Sequence, residues 1–374
     1  MDLHSLLKLV CHKKASDLFI TSGLAPTLKI DGRIVPVSDT LLTSEDTRDF
    51  VLGVMTPVQR EEFERTHECN FAIGVSGLGR FRVSAFYQRG NVGMTLRRIE
   101  TRIPTFEELN LPPILKKLSM EKRGLIIFVG GTGAGKSTSL AAMMGYRNQH
   151  GTGHLVSIED PIEFVHQHAG CIITQREVGI DTDSYEIALR NTLRQAPNVI
   201  MIGEVRTRET MAHAITFAET GHLCLTTLHA NNANQALDRI LHFFPQDTRD
   251  QVLMDLSLNL RAMIAQQLIP KANGKGRALG CEILLNTPLA SDYVRKGDVH
   301  KLKDLMKRST NQGMQTFDQH MFKLFQSGEI SYDSALRHAD SANEVRLMIK
   351  LAKGGDPRSL AAGMEGVQVM ETED

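Results

Sequence analysis

Leu125-Ile126-Ile127-Phe128-Val129-Gly130-Gly131-Thr132-Gly133-Ala134-Gly135-Lys136-Ser137 is the stretch that decides the fold. Its second part, Gly130 to Ser137, matches G-x-x-x-x-G-K-[ST], the pattern of a phosphate-binding loop. An apolar run precedes it, and Ser137-Thr138-Ser139-Leu140-Ala141-Ala142-Met143-Met144, a good helix former, follows. The order predicts strand, loop and helix, the setting in which the pattern has chemical meaning. Glycines let successive backbone N–H groups turn inward around a polyphosphate, and the helix N-terminus adds the positive end of its dipole. Lys136 is expected to reach the β- and γ-phosphates, and the Ser137 hydroxyl to complete a Mg²⁺ shell. Gly130, Gly131, Thr132, Gly133, Ala134, Gly135, Lys136, Ser137 and Thr138 are therefore the expected nucleotide contacts. The chain is expected to bind a nucleoside triphosphate.

A length of 374 residues suits two domains, or one large one with an appendage. Lys+Arg and Asp+Glu both number 43, so no net charge draws the chain to nucleic acid, and no direct nucleic-acid partner is expected. Lys301-Leu302-Lys303 and Lys307-Arg308 read as solvated helix faces. No apolar stretch reaches spanning length, and the start, Met1-Asp2-Leu3-His4, has no signal-peptide form. A cytoplasmic protein without a transmembrane segment is expected, so any membrane role comes through a partner. Cys11, Cys69, Cys171, Cys224 and Cys281 are scattered and never form C-x-x-C, which reads as reduced, mostly buried thiols rather than a zinc site.

The first hundred residues read as a small α/β domain. Leu3, Leu6, Leu7 and Val10 recur on one helical face. Leu18–Ile20 is an expected strand, and Leu28 to Val35 a hairpin turning at Asp31-Gly32. Thr56-Pro57 supplies an N-cap and a first-turn proline for a helix over Val58–His67. Strands are expected at Asn70–Val75, Arg80–Tyr87 and Val92–Ile99, then a stiff connector around Pro104. Beyond it, strands alternate with helices: Leu125–Val129, His154–Glu159, a short strand near Cys171–Thr174, helix Ser184–Gln195, Val199–Ile202, helix Glu209–Glu219, Cys224–Thr227 and helix Ala233–Phe243. That alternation predicts a mostly parallel sheet covered by helices. A helical tail is expected to close the chain, with Phe317, Met321, Leu324 and Phe325 as a packing stripe.

Hydrolysis needs more than a phosphate loop. Val199-Ile200-Met201-Ile202-Gly203-Glu204 is an apolar strand ending in Gly-Glu. In a parallel sheet its carboxyl end shares an edge with the phosphate loop, where Glu204 can orient water or hold Mg²⁺ through water. Glu159-Asp160-Pro161-Ile162-Glu163 brings further carboxylates to that edge. His222 opens a strand and His229 closes it, so the two are expected at opposite ends, with His229 beside the phosphates. Arg80 and Arg82 share one strand face, and Arg97 points outward from the next strand. Arg82 and Arg97 are candidates for the cation that a developing phosphoryl charge needs from outside the loop.

Taken together, these residues resemble the type IV pilus retraction ATPases of the secretion ATPase superfamily. Ala15-Ser16-Asp17-Leu18 and Ile30-Asp31-Gly32 resemble the start of that family's PAS-like domain. Gly130–Ser137 looks like its Walker A, Ser157 to Phe164 its Asp box, Ile202-Gly203-Glu204-Val205-Arg206 its Walker B, and Glu219 to His229 its His box. The resemblance implies an α/β fold: a PAS-like N-terminal α/β domain over residues 1–100, a linker over 101–118, and a RecA-like P-loop ATPase core with a C-terminal helical region over 119–353. Residues 354–374, small and acidic, are expected to be disordered. By the same resemblance Glu204 is the catalytic base, Glu163 supports the metal or water, and His222 and His229 sense the γ-phosphate or link the site to its neighbour. Arg82 and Arg97 would close over the nucleotide when domains of adjacent subunits clamp together. The implied cofactors are ATP and Mg²⁺. The implied assembly is a homo-hexamer acting on an inner-membrane pilus platform protein, peripherally at the pilus base.

The phosphate loop comes too early for the extra N-terminal domain of assembly and type II secretion ATPases, and no tetracysteine motif is present. The principal retraction motor's Ala-Ile-Arg-Asn-Leu-Ile-Arg-Glu motif corresponds to Leu289–Gly297, which departs at most positions. The resemblance is therefore to the accessory branch, which has a paralogous retraction ATPase as partner. Ala196, Asn198 and Thr207 stand where relatives commonly carry aspartate. The expected function is a Mg-ATP-hydrolysing motor supporting pilus retraction in twitching motility. The alternative is a regulatory or coupling subunit that acts through the principal retraction ATPase and generates little force alone.

Overall fold

The computed structural model describes residues 2–30 and 32–352. They divide into two compact units, one comprising the residues up to Pro104 with Asn148–Pro197, the other Thr105–Arg147 with the residues from Asn198 on.

In the first unit, helix α1 (Leu3–His12) is capped by Asp2, whose side chain accepts from the Ser5 N–H, and buries Leu6, Leu7 and Val10, the face expected. Strands β1 (Asp17–Ile20), β2 (Thr27–Ile30), β3 (Arg33–Pro36), β4 (Glu68–Val75), β5 (Gly79–Gln88) and β6 (Asn91–Arg98) form an antiparallel sheet of order β3-β2-β1-β6-β5-β4. Gly32 follows β2 with φ +79°, as a tight turn requires; Asp31 lies outside the described residues. Helix α2 (Ser44–Gly53) was not expected from the sequence, and α3 (Pro57–Thr66) was: Thr56 and Gln59 form a reciprocal capping box with proline at the first turn. The two-residue period of β5 and β6 sends Phe81, Val83, Ala85, Met94 and Leu96 into a core shared with Leu6, Leu18 and Phe63. Arg80 and Arg82 take the opposite face of β5.

The same unit contains β8 (Gly153–Glu159) and β9 (Cys171–Glu177), paired in parallel from Gly153 opposite Cys171 to Glu159 opposite Glu177. β9 thus runs three residues past the expected end at Thr174. Helix α6 (Tyr185–Thr192), capped by Ser184, tightens into a 3₁₀ turn over Leu193–Gln195 rather than continuing as one α-helix.

The second unit holds α4 (Ile114–Ser119), β7 (Gly124–Val129), α5 (Lys136–His150), β10 (Val199–Ile202), α7 (Arg208–Glu219), β11 (Leu223–Leu228), α8 (Ala233–Phe243), α9 (Arg249–Asn259), β12 (Leu260–Pro270) and β13 (Arg277–Leu285). Its strands are ordered β13-β12-β7-β11-β10, parallel except for the β12–β13 hairpin. Every residue of β7, β10 and β11 is buried, so these strands read as apolar runs without alternation. The β12–β13 hairpin was not expected from the sequence. Eight of the ten residues from Leu260 to Ile269 are Leu, Ala, Met, Gln or Arg, good helix formers, and pairing with β7 overrides that propensity.

Helices α10 (Pro288–Lys296), α11 (Leu302–Arg308), α12 (Phe317–Gln326), α13 (Tyr332–Arg337) and α14 (Ala342–Ala352) follow. Phe317, Met321 and Leu324 are buried, as a packing stripe should be. Lys303 pairs with Asp340 at 3.0 Å and Lys307 with Glu344 at 2.8 Å, so this basic strip is tied down rather than simply solvated. Glu282 of β13 is buried and accepts the Ala233 N–H at 2.9 Å, capping α8. The expected tail at 354–374 lies outside the described residues. No described helix is long and apolar enough to cross a membrane.

Candidate functional site

The phosphate loop hangs between the buried strand β7 and α5. A Cβ on Gly130 would lie 2.7 Å from the Gln266 carbonyl oxygen and 2.9 Å from the Ala134 Cβ, so no larger residue fits. Gly135 adopts φ +87°, a conformation open to glycine and costly for other residues. Lys136 is buried, and its Nζ donates to Gly130 O at 2.7 Å and Gly131 O at 2.9 Å. An arriving polyphosphate would exchange those carbonyl oxygens for phosphate oxygens around the ammonium. Ser137 and Thr138 stand in the first turn of α5, where backbone N–H groups have no partner within the helix.

β10 and β11 end beside this loop. Leu228 of β11 is in register with Val129 of β7, and Ile202 of β10 with Thr226 of β11. Glu204 and His229, each just past a strand end, meet: His229 Nε2 lies 2.9 Å from Glu204 Oε1. The other carboxylate oxygen accepts from Arg206, Nε at 2.8 Å and Nη2 at 2.7 Å. The Thr227 hydroxyl donates to Gly203 O at 2.8 Å and the Val205 N–H to Thr227 O at 2.9 Å, which fixes the turn bearing Glu204 to β11. Burial holds the His229 pKa below its ordinary value, and the positive Lys136, Arg239 and Arg206 push the same way, against Glu204. The lowered pKa favours the neutral imidazole over its cation.

His222 is not brought to the loop of its own chain. It precedes β11, with its Nδ1 beside Thr220 Oγ1 at 3.1 Å and Phe217 O at 3.3 Å, and its carbonyl accepts from Gly124 at the start of β7. Thr207 is the N-cap of α7 and accepts the Thr210 N–H, a task aspartate performs equally well. Asn198 offers its carbonyl to the Leu223 N–H. Ala196 sits at φ +50°.

The remaining site candidates belong to the other unit. Glu159 ends β8, is 7% exposed, and accepts from Ser157 Oγ at 2.6 Å and Gln175 Nε2 at 3.1 Å. Burial pushes its carboxyl up to about 7, with Glu163 and Glu177 adding to the rise. The loop that follows, entered by a cis Asp160–Pro161 bond, exposes Glu163. Gln175 of β9 holds that loop from beneath: Nε2 also donates to Phe164 O at 2.9 Å, and Oε1 accepts the His166 N–H at 2.8 Å. The Val165 N–H donates to Glu100 O at 3.0 Å.

Both arginine candidates have carboxylate partners within this unit. Arg82 Nε lies 3.5 Å from Glu177 Oε1, and its neighbour Arg80 pairs with Asp181 at 3.7 Å. Arg97 points outward, 63% exposed at its side chain, and pairs with the buried Asp17 at 2.8 Å. Lys136, Ser137, Glu204 and His229 thus belong to one unit, and Glu163, Arg82 and Arg97 to the other. Sequence reading missed Gln175 and Gln266, both polar residues inside strands; the Gln266-Gln267 pair within an apolar strand is the one signal that marks the second.

Residues 84–337 match the family model described as Type II/IV secretion system protein. Over 374 residues the chain is 66% identical to the type IV pilus ATPase PilU of Pseudomonas aeruginosa, spanning 100% of this chain and 98% of that protein. It is 38% identical over 339 residues to the PilT retraction ATPase of the same organism, covering 91% of this chain and 98% of that protein. Among solved structures, the pilus retraction motor PilT with bound ADP matches with a TM-score of 0.87 at 39% identity, covering 93% of this chain and 100% of that one.

Proposed function

The chain belongs to the Type II/IV secretion system protein family and is an ATPase, and from that premise we propose that it is a Mg-ATP-hydrolysing motor, a homo-hexameric ring, that supports retraction of type IV pili in twitching motility. The full-length similarity to a type IV pilus ATPase carries this reading. In it, the ring works peripherally at the cytoplasmic side of the inner membrane, against a pilus platform protein and beside a paralogous retraction ATPase. A PAS-like domain over 1–100 and an ATPase core over 119–353 are its working parts.

The nucleotide's phosphates lie on Gly130–Thr138, with Lys136 neutralising the β- and γ-oxygens. Glu204, oriented by His229 and Arg206, takes the proton of the attacking water. Arg82 and Arg97 offset charge on the transferring phosphoryl group. Mg²⁺ suits the available donors: the Ser137 hydroxyl would hold it directly and the carboxylates of Glu163 and Glu204 through water, all hard oxygens. Such an ion would be held largely by phosphate oxygens. When bound, it would supply charge neutralisation on the phosphates.

Purified Glu204→Ala and Lys136→Ala proteins should lose ATP hydrolysis by about a hundredfold or more. Cells whose only copy is Lys136→Ala should retract pili more slowly or less often than wild type. Normal hydrolysis by Glu204→Ala would overturn the assignment of the base, and unchanged retraction would overturn the motor reading.

A further inference from the structure

β12 delivers a residue to the underside of the phosphate loop. Ala265 is in register with Val129, the last residue of β7, so the next residue on β12, Gln266, lies where the loop begins. Its side chain is 1% exposed, and its Nε2 donates to the Ala134 carbonyl at 2.9 Å and to the Ser139 hydroxyl at 3.2 Å. Its own backbone carbonyl would meet a Cβ on Gly130 at 2.7 Å, and its amide nitrogen a Cβ on Gly135 at 3.2 Å. One residue therefore touches the loop at its start, its centre and its end.

The bond to Ala134 has a directional consequence. A trans peptide is planar, and its C=O and N–H point opposite ways. Holding the Ala134 carbonyl down onto Gln266 turns the Gly135 N–H away from β12, toward the side open to phosphate. It also keeps a carbonyl dipole, which would repel an anion, out of the ring of converging N–H groups. We propose that Gln266 is a positioning residue for nucleotide binding, holding the Ala134–Gly135 peptide so that the Gly135 N–H faces the polyphosphate. The assignment rests on the loop binding nucleotide, and it adds a residue outside every motif that names the site.

Full-length protein tests this by ADP binding, measured by calorimetry for wild type, Gln266→Leu and Gln266→Glu at about pH 8 and about pH 6. Leucine keeps the volume and loses the donor. Glutamate keeps the shape; ionised it faces the Ala134 carbonyl with acceptors only, and protonated it regains an O–H donor, which burial favours. Gln266→Leu should weaken ADP about tenfold at both pH values. Gln266→Glu should be weakened at least as much at pH 8 and recover toward wild type, compared at equal pH, at pH 6. A residue that merely fills the core would not produce that recovery. Affinities within about twofold of wild type at pH 8, or a glutamate deficit that is the same at both pH values, would overturn the proposal. If Gln266→Leu does not fold, the glutamate comparison decides alone. A wild type that fails to bind ADP would overturn the nucleotide reading itself, and this assignment with it.

Discussion

His229 Nε2 lies 2.9 Å from Glu204 Oε1, a close contact between the ends of two neighbouring strands beside the phosphate loop. With Arg206 on the opposite oxygen, the carboxylate is held in one rotamer, leaving lone-pair capacity on Oε1 for a water. Orientation, more than charge, is what His229 supplies.

His229→Ala should accordingly lower the single-turnover rate of ATP hydrolysis by about 10- to 100-fold. ADP affinity should stay within about threefold of wild type, since the imidazole acts on the carboxylate. Rapid-quench hydrolysis beside equilibrium ADP binding separates the two. A large loss of ADP affinity with unchanged chemistry would place His229 on the nucleotide instead.

Arg82 has a structural duty that complicates any test of its chemistry. Glu177 beside it is 3% exposed, and its Oε2 has no hydrogen-bond partner. Arg82→Ala should therefore cost about 3 kcal/mol of folding stability by stranding a buried carboxylate. Adding Glu177→Gln should restore most of that in urea denaturation. Hydrolysis by the double variant then reports the arginine's part in the reaction: activity still lost would support the charge-offsetting role, and activity regained would remove it.

Two half-buried histidines and two buried carboxyls set opposite acid and alkaline limits. Burial lowers His166 and His320 to about 4 from the ordinary 6.5. The unfolded chain takes up those protons first, so their stabilisation is complete above about pH 6.5 and is lost as pH falls toward 4. Burial raises Glu159 and Glu282 to about 7 from 4.5. There the folded state keeps the proton, and stabilisation complete below about pH 4.5 is lost as pH rises through 7. The melting temperature should decline in both directions. Glu282→Gln, which keeps an oxygen for the Ala233 N–H, should improve relative to wild type as pH rises from about 5 to about 8. A difference independent of pH would contradict the raised carboxyl.

Local chemistry was legible in the sequence, and lateral chemistry was not. A phosphate loop is made by consecutive residues, so the pattern of Gly130 to Ser137 declares itself, as does the helix start at Thr56-Pro57. Strand ends at Glu204 and His229 followed from apolar runs of the right length. Gln266 is another matter: it serves the loop from 132 positions away from Ala134, and its only local mark is the polar Gln266-Gln267 pair within an apolar strand. The β12–β13 hairpin was not expected because most residues of β12 favour helix alone and strand only when paired with β7. Arg82 was seen as a cation but not as half of an ion pair, because Glu177 reaches it only through the folded unit.

Gln175 has one further consequence. Its amide closes the segment from Glu159 to His166 into a ring fastened at both ends, so the backbone under Glu163 loses its freedom when the protein folds, before any nucleotide arrives. Fixing several backbone residues costs about 1 to 2 kcal/mol each. Were the loop loose, that ordering would recur in every catalytic cycle and weaken each encounter with substrate. Here it happens once per molecule, and only the Glu163 side chain is left to settle.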